Sequence, residues 1–199
     1  GSFSEFVNAN PYYPVTNEDG TIPRDLDVYK RANYADITAT NPYYNAMLPS
    51  ENRSKILSVT NNTNLNWYII DNLRWTASMS LNTTNTDNMN FTDPAHTKYA
   101  SSDYTKQGEY SSSKSRSWRY TMNTGIAYAL SLNDHNLTFN GRAEIRSTSS
   151  NTESFVATGF PKGVGAIPSF AYSFKENSTP GYSESISRGV SFLGTFNYN

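Results

Sequence analysis

Apolar and polar side chains alternate with a period of two in separate runs between residues 54 and 147 and again over 187–199, the signature of β-strands with one apolar face. In the first run Leu57, Val59, Thr63, Leu65, Trp67 and Ile69 share a face, against Ser58, Thr60, Asn62, Asn64 and Asn66. After Asp71-Asn72 a second run sets Leu73, Trp75, Ala77, Met79 and Leu81 against Arg74, Thr76, Ser78 and Ser80. A third run carries Trp118, Tyr120, Met122, Thr124, Ile126, Tyr128 and Leu130 on one side and Arg119, Thr121 and Asn123 on the other. The fourth, after "NDH", aligns Leu137, Phe139, Ala143 and Ile145 against Thr138, Asn140, Arg142, Glu144 and Arg146. In the last, Val190, Phe192, Phe196 and Tyr198 fall together.

The pattern predicts an all-β fold, an antiparallel up-and-down meander of about five long strands. Their expected bounds are 54–69, 73–85, 114–131, 135–147 and 187–199. The connections alternate between tight turns and the long polar loops 86–113 and 148–186. Residues 1–53, punctuated by "NPYYP", "NEDG" and "NPYYNAMLPS", read as an irregular loop region in which "FSEFVNA" could make a helical turn or two.

Alternation alone does not say whether the apolar face meets a second sheet or lipid. Three features favour lipid. The runs hold their alternation for about ten residues or more, the length a membrane-crossing strand needs and longer than the usual ~5–6 of globular strands. Trp118 and Tyr128 lie on one apolar face, separated by roughly 25 Å along a tilted strand, the height of the apolar band of a transmembrane barrel. All the tight turns fall at one end and the long loops at the other, as in barrels with short periplasmic turns and long extracellular loops. Arg74, Arg119, Arg142, Glu144 and Arg146 keep to the polar face, which suits a water-filled lumen. Five strands do not close such a barrel, and open edges in hydrocarbon leave backbone groups unpaired. Strands from elsewhere in a longer polypeptide are therefore expected to complete the ring.

Composition narrows the chemistry. Hydrophobic residues make up 36% and aromatics 14% of the 199, with 15 Tyr, which fits a thin apolar layer and polar loops rather than a thick core. A net charge of -1 without charged blocks gives no footprint for nucleic acid. With no Cys there is neither a disulfide framework nor a thiolate metal site. No run of ~18 apolar residues could form a transmembrane helix. The opening "GSFSEFV" lacks the pattern of a signal peptide, and its Gly-Ser is either native or a cloning scar. His96 and His135 stand alone, no carboxylate pair suggests acid–base catalysis, and "NEDG" and "DLD" fall short of a calcium loop. No enzymatic activity, metal or cofactor is expected. The "NNT", "NTT", "NFT", "NLT" and "NST" sequons are what chance supplies in a chain rich in Asn, Ser and Thr.

Several stretches, in order along the chain, carry a likeness: "GSFSEFVNANPYYP", "NPYYNAMLPS", "TNNTNLNW", "FPKG", "PSF" and "YSESISRGVSFLGTFNYN". Together they resemble the barrel region of SusC/RagA-like TonB-dependent outer-membrane transporters of Bacteroidetes. The resemblance implies a 22-stranded barrel, an N-terminal plug, a SusD-like surface lipoprotein as lid, and TonB-driven import of glycans or peptides. It implies an outer-membrane location, with this chain supplying wall strands and extracellular loops, while plug, TonB box and C-terminal barrel strand fall outside it. Loop aromatics, whose flat faces stack on sugars or pack on protein, are the expected contacts for substrate or lid: Tyr12, Tyr13, Tyr43, Tyr44, Phe160, Phe170, Tyr172 and Phe174. The alternatives are a soluble all-β carbohydrate-binding or adhesin module and, less favoured for want of an acid–base pair, a glycan-processing domain.

Overall fold

The computed structural model describes residues 13–30 and 37–199; Tyr12 and the "FSEFVNA" segment lie outside them. In chain order the elements are β1 (Asp25–Tyr29), β2 (Ile37–Thr40), α1 (Pro42–Met47), β3 (Glu51–Ile70), β4 (Leu73–Thr92), β5 (Glu109–Leu132), β6 (His135–Thr158), β7 (Ser173–Phe174) and β8 (Gly181–Tyr198). β1 and β2 pair antiparallel. The main sheet runs β3-β4-β5-β6, with β7 and β8 both paired to β6. The fold is all-β and meandering.

The strands are longer than the hydropathy pattern indicated. β4 continues past residue 85 to Thr92 and β6 past 147 to Thr158, while β5 begins at Glu109 and β8 at Gly181. The connections shrink accordingly to residues 93–108 and 159–180. The reason is physical. In "NTTNTD", "SSSKSRS" and "STSSNTES" both faces are polar, so the hydropathy period disappears while the backbone ladder persists. The β6–β8 register runs unbroken from Leu137↔Tyr198 to Ser154↔Gly181. The first 53 residues are also more regular than expected, containing β1, β2, α1 and the start of β3.

The tight turns fall at Asp71-Asn72 and Asn133-Asp134, and Asn133 takes a left-handed φ of 52° that Asn tolerates better than most residues.

The chain divides into two compact units. One, the ribbon unit, comprises Ser54–Asn88, Ser113–Ser154 and Gly181–Asn199. Its register places Leu137 beside Tyr198, Phe139 beside Phe196, Ala143 beside Phe192 and Ile145 beside Val190, all on one face. Among its described residues the buried side chains are Ser147 and Ser149, and none is apolar.

The other, the loop unit, comprises Gly1–Arg53, Met89–Ser112 and Phe155–Pro180. It has a small core of its own, in which Met89, Phe91, Ala157 and Phe160 are buried and Tyr110, Phe155, Ala166 and Ala171 pack against them. Phe91 and Phe160 meet edge to face at 5.3 Å, a geometry worth about 0.5–1.5 kcal/mol beyond the area it buries. Asn41, fully buried, ties segments together: its Nδ2 donates to the Val15 and Pro23 carbonyls, and its Oδ1 caps α1 by accepting from the Tyr43 N–H. Asn45 of α1 donates to Thr97 Oγ1 and accepts from the Thr97 N–H. Gly159, at φ +80°, admits no side chain: a Cβ there would stand 2.5 Å from the Thr105 carbonyl oxygen. That close approach lets the Gly159 and Phe160 N–H groups donate to the Gln107 carbonyl.

Candidate functional site

In the ribbon unit the two faces of the sheet differ in kind. On the apolar face Leu65, Met122 and Phe139 are 52%, 46% and 46% exposed, so no second layer of the described chain seals them. A shallow apolar hollow of about 450 Å³ opens among Leu65, Trp75, Met79, Met122 and Ile145. Trp67 and Trp75 flank the first turn edge to face at 6.4 Å, and the Trp75 Nε1–H donates to Thr124 Oγ1. Trp118 stacks on Tyr120 at 5.6 Å. The chain's 3 Trp therefore all lie on this face.

The apolar face has a margin. Strand alternation puts Lys55 next beyond Leu57, Arg116 next beyond Trp118 and Arg188 next beyond Val190, on the same side. Beyond these cations the same face is mostly polar.

The opposite face is a ladder of neutral and charged hydrogen-bonding groups. Ser54 donates to Asn88, Ser80 to Asn62 and Asn82 to Thr60, while the Ser58 and Thr84 hydroxyls pair at 3.1 Å. Arg142 donates to Asn123 Oδ1 at 2.8 Å and lies 3.6 Å from Glu144, and Arg119 donates to Thr148. Arg74 and Arg142 border a hollow of about 370 Å³ where Gly125, facing Thr76, puts no side chain on this side. Such a surface can hold water and hydrogen-bond a polar solute.

In the loop unit the expected contact aromatics separate into groups. Tyr13 is half-buried and donates its hydroxyl to Asp27 Oδ2 at 2.8 Å. Tyr43 is exposed at the start of α1, and Tyr44 is half-buried. Phe170, Tyr172 and Phe174 are exposed by half or more. Phe160, unlike these, is core at 4% exposure: the Gly159 approach folds it inward onto Phe91 and Tyr110. Tyr104, which the pattern did not single out, is 72% exposed and meets Tyr172 edge to face at 6.4 Å. Its signal was the "DYT" triplet: Asp103 Oδ1 accepts from the Thr105 N–H and hydroxyl, fixing a 3-10 turn that presents Tyr104.

The loop unit also holds a charged cavity of about 440 Å³, lined by Lys98, Tyr99, Lys106, Glu109, Lys175 and Glu176 among others. Lys106 pairs with Glu176 at 2.7 Å and Lys175 with Glu109 at 2.7 Å. The hydrogen bond from Lys106, then its charge, hold the Glu176 carboxyl below the usual carboxylate value. Among the described residues no group of three or more His, Cys, Asp or Glu is arranged to hold a metal.

No family model matches the chain, and no curated protein matches it. Solved structures do. A chain of the RagAB peptide importer in its open-open state superposes with a TM-score of 0.65 at 20% identity, over 94% of this chain and 20% of that one. A chain of the RagAB peptide transporter gives 0.68 at 20% identity, over 90% and 19%. The importer's closed-closed state gives 0.63 at 20% identity, over 94% and 20%. At that identity the likeness establishes the fold, and the chain spans about a fifth of the length of the solved chains it matches.

Proposed function

We propose that this chain is a non-enzymatic section of the wall and extracellular loops of a TonB-dependent outer-membrane transporter for oligomeric nutrients. The observation that carries the reading is the ribbon unit's uncovered apolar face, backed by a hydrogen-bonding face that carries Arg74, Arg119, Arg142 and Arg146. Lipid on one side and a wet lumen on the other satisfy both faces, while neighbouring strands pair the open edges. Lys55, Arg116 and Arg188 then stand at headgroup level, where cations meet anionic lipid.

In this reading residues 1–53, 93–108 and 159–180 face the outside. Phe170, Tyr172, Phe174 and Tyr104 offer exposed rings to an oligosaccharide or peptide substrate or to a SusD-like lipoprotein lid, with Tyr13, Tyr43 and Tyr44 as lesser candidates. The RagAB likeness favours a peptide over a glycan. Strands, plug and TonB box supplied elsewhere complete the machine. The experiment is extraction of the protein from membranes. A detergent-dependent species whose β-structure survives mild SDS until boiled supports the reading. A monomer that melts cooperatively in detergent-free buffer favours the soluble binding module instead.

A further inference from the structure

The charged cavity of the loop unit is built from rigid attachments. The Lys175 N–H donates to the Val156 carbonyl of β6, fixing one side. Lys98 and Tyr99 sit in a 3-10 turn capped by His96, whose Nδ1 accepts from the Lys98 N–H, and Thr97 in that turn is bonded both ways to Asn45. The cavity's own ion pairs do not balance. Lys106 and Lys175 each hold a glutamate at 2.7 Å, so among the described residues that line the cavity three lysines face two glutamates and one cation is left over. That cation is Lys98, whose Nζ lies 4.7 Å from the centre of the Tyr99 ring. Although much of its side chain is exposed, desolvation pulls the ammonium below the ordinary lysine value, opposed by the Glu109 carboxylate and reinforced by Lys175.

The second observation is Tyr99. The residue is nine-tenths buried at 9% exposure, and its hydroxyl, sealed from solvent, has no hydrogen-bond partner among the described residues. A buried phenol without a partner forfeits about 1–3 kcal/mol, a deficit that a ligand oxygen can remove. Burial, and then Glu109, hold its pKa well above the ordinary tyrosine value, so it stays a donor.

We propose that this cavity is a binding subsite for a single carboxylate, recognised by the Lys98 ammonium and the Tyr99 hydroxyl. One uncompensated positive charge matches a monoanion, and Glu109 and Glu176 repel a dianion such as phosphate. A volume of about 440 Å³ lies in the range of small-molecule pockets and takes a carboxylate with its neighbouring residue or sugar ring. The Lys98 Nζ lies over the Tyr99 ring, and the proposal requires its flexible chain to move with the incoming anion so that the carboxylate reaches the hydroxyl. The inference stands on the loop unit alone and holds whether or not the ribbons meet lipid.

The test is isothermal titration calorimetry on the detergent-solubilised protein with four probes: N-acetyl-dialanine, its C-terminal amide, glucuronate and glucose. Binding of N-acetyl-dialanine at least tenfold tighter than its amide supports the subsite with a peptide terminus as source. Binding of glucuronate at least tenfold tighter than glucose supports it with an acidic sugar as source. In either case Lys98→Gln should weaken the acid about tenfold and Lys98→Arg should retain it. Tyr99→Phe, which removes a hydroxyl that nothing bonds, should weaken it severalfold without lowering the melting temperature. Equal binding of acids and neutral probes, no binding of either acid at millimolar concentration, or full affinity in Lys98→Gln would overturn the proposal.

Discussion

β4 contributes residues to both units, and its apolar side chains live in different surroundings in each. In the ribbon unit Met79 and Leu81 are 41% and 38% exposed; in the loop unit Met89 and Phe91 are 8% and 1% exposed. Met79 is bare, and Met89, ten residues further along the chain, is sealed. The loop unit seals its apolar side chains with its own chain, through Phe160, Tyr110 and Phe155. The ribbon unit has no such cover among its described residues, although it carries the longer apolar stripe. Apolar area left open to water forfeits roughly 25 cal/mol per Å². A stripe spread over five strands is affordable only if another apolar medium meets it, and the transporter reading names lipid as that medium.

The contrast can be broken at several points. The largest effect should come from Phe91→Ala, which empties the loop core and should cost about 3–5 kcal/mol, against little for Met79→Ala on the same strand. Limited proteolysis reads both: cleavage in 93–108 and 159–180 should accelerate for the first variant only. Comparable cleavage in both would erase the distinction between the units.

Next comes charge on the apolar face. If the apolar face meets lipid, as proposed, Met122→Arg should cost ~2–4 kcal/mol of membrane stability, whereas Asn123→Arg, one residue along and on the opposite face, should cost far less. The yield of heat-modifiable protein in the outer membrane measures it, and equal yields would remove the asymmetry between faces. Asn41→Ala, which strips the cap of α1 and leaves the Val15 and Pro23 carbonyls without its amide, should lower loop-unit stability by about 1–3 kcal/mol in hydrogen-exchange protection.

The smallest effect is a pH dependence. Glu176 is held low by the hydrogen bond from Lys106 and then by its charge, so its stabilisation is full above the unfolded carboxylate value and fades as pH falls through the folded one. Lys106 is raised by the hydrogen bond to Glu176 and then by its charge, so its share is full below the ordinary lysine value and fades as pH rises through the raised one. Protection of residues 175–178 should therefore peak between those ranges and flatten in Glu176→Gln. Both groups are exposed, so the amplitude should be slight.

Legibility in the sequence followed the same division. In the ribbon unit most apolar side chains alternate with polar ones, with exceptions such as Tyr68-Ile69-Ile70 and Phe192-Leu193, so the strands, turns and faces are largely readable from residue type alone. Where Ser, Thr and Asn occupy both faces the period vanished, and the strand ends at Thr92 and Thr158 were invisible although the backbone pairing continued. In the loop unit exposure depended on tertiary geometry. Nothing in "TGFPKG" distinguishes Phe160 from Phe170, yet the left-handed Gly159 turns the first inward and leaves the second in the open. The Lys98–Tyr99 cavity was equally hidden, since it assembles from segments separated along the chain by β5 and β6.

The most direct measurement uses the three tryptophans, Trp67, Trp75 and Trp118, all on the apolar face. The protein reconstituted in vesicles of lipids brominated at defined acyl depths should lose its tryptophan fluorescence most strongly to bromine near the headgroups and should resist quenching by aqueous iodide. Strong iodide quenching with no response to bromine at any depth would mean that the apolar face does not meet lipid.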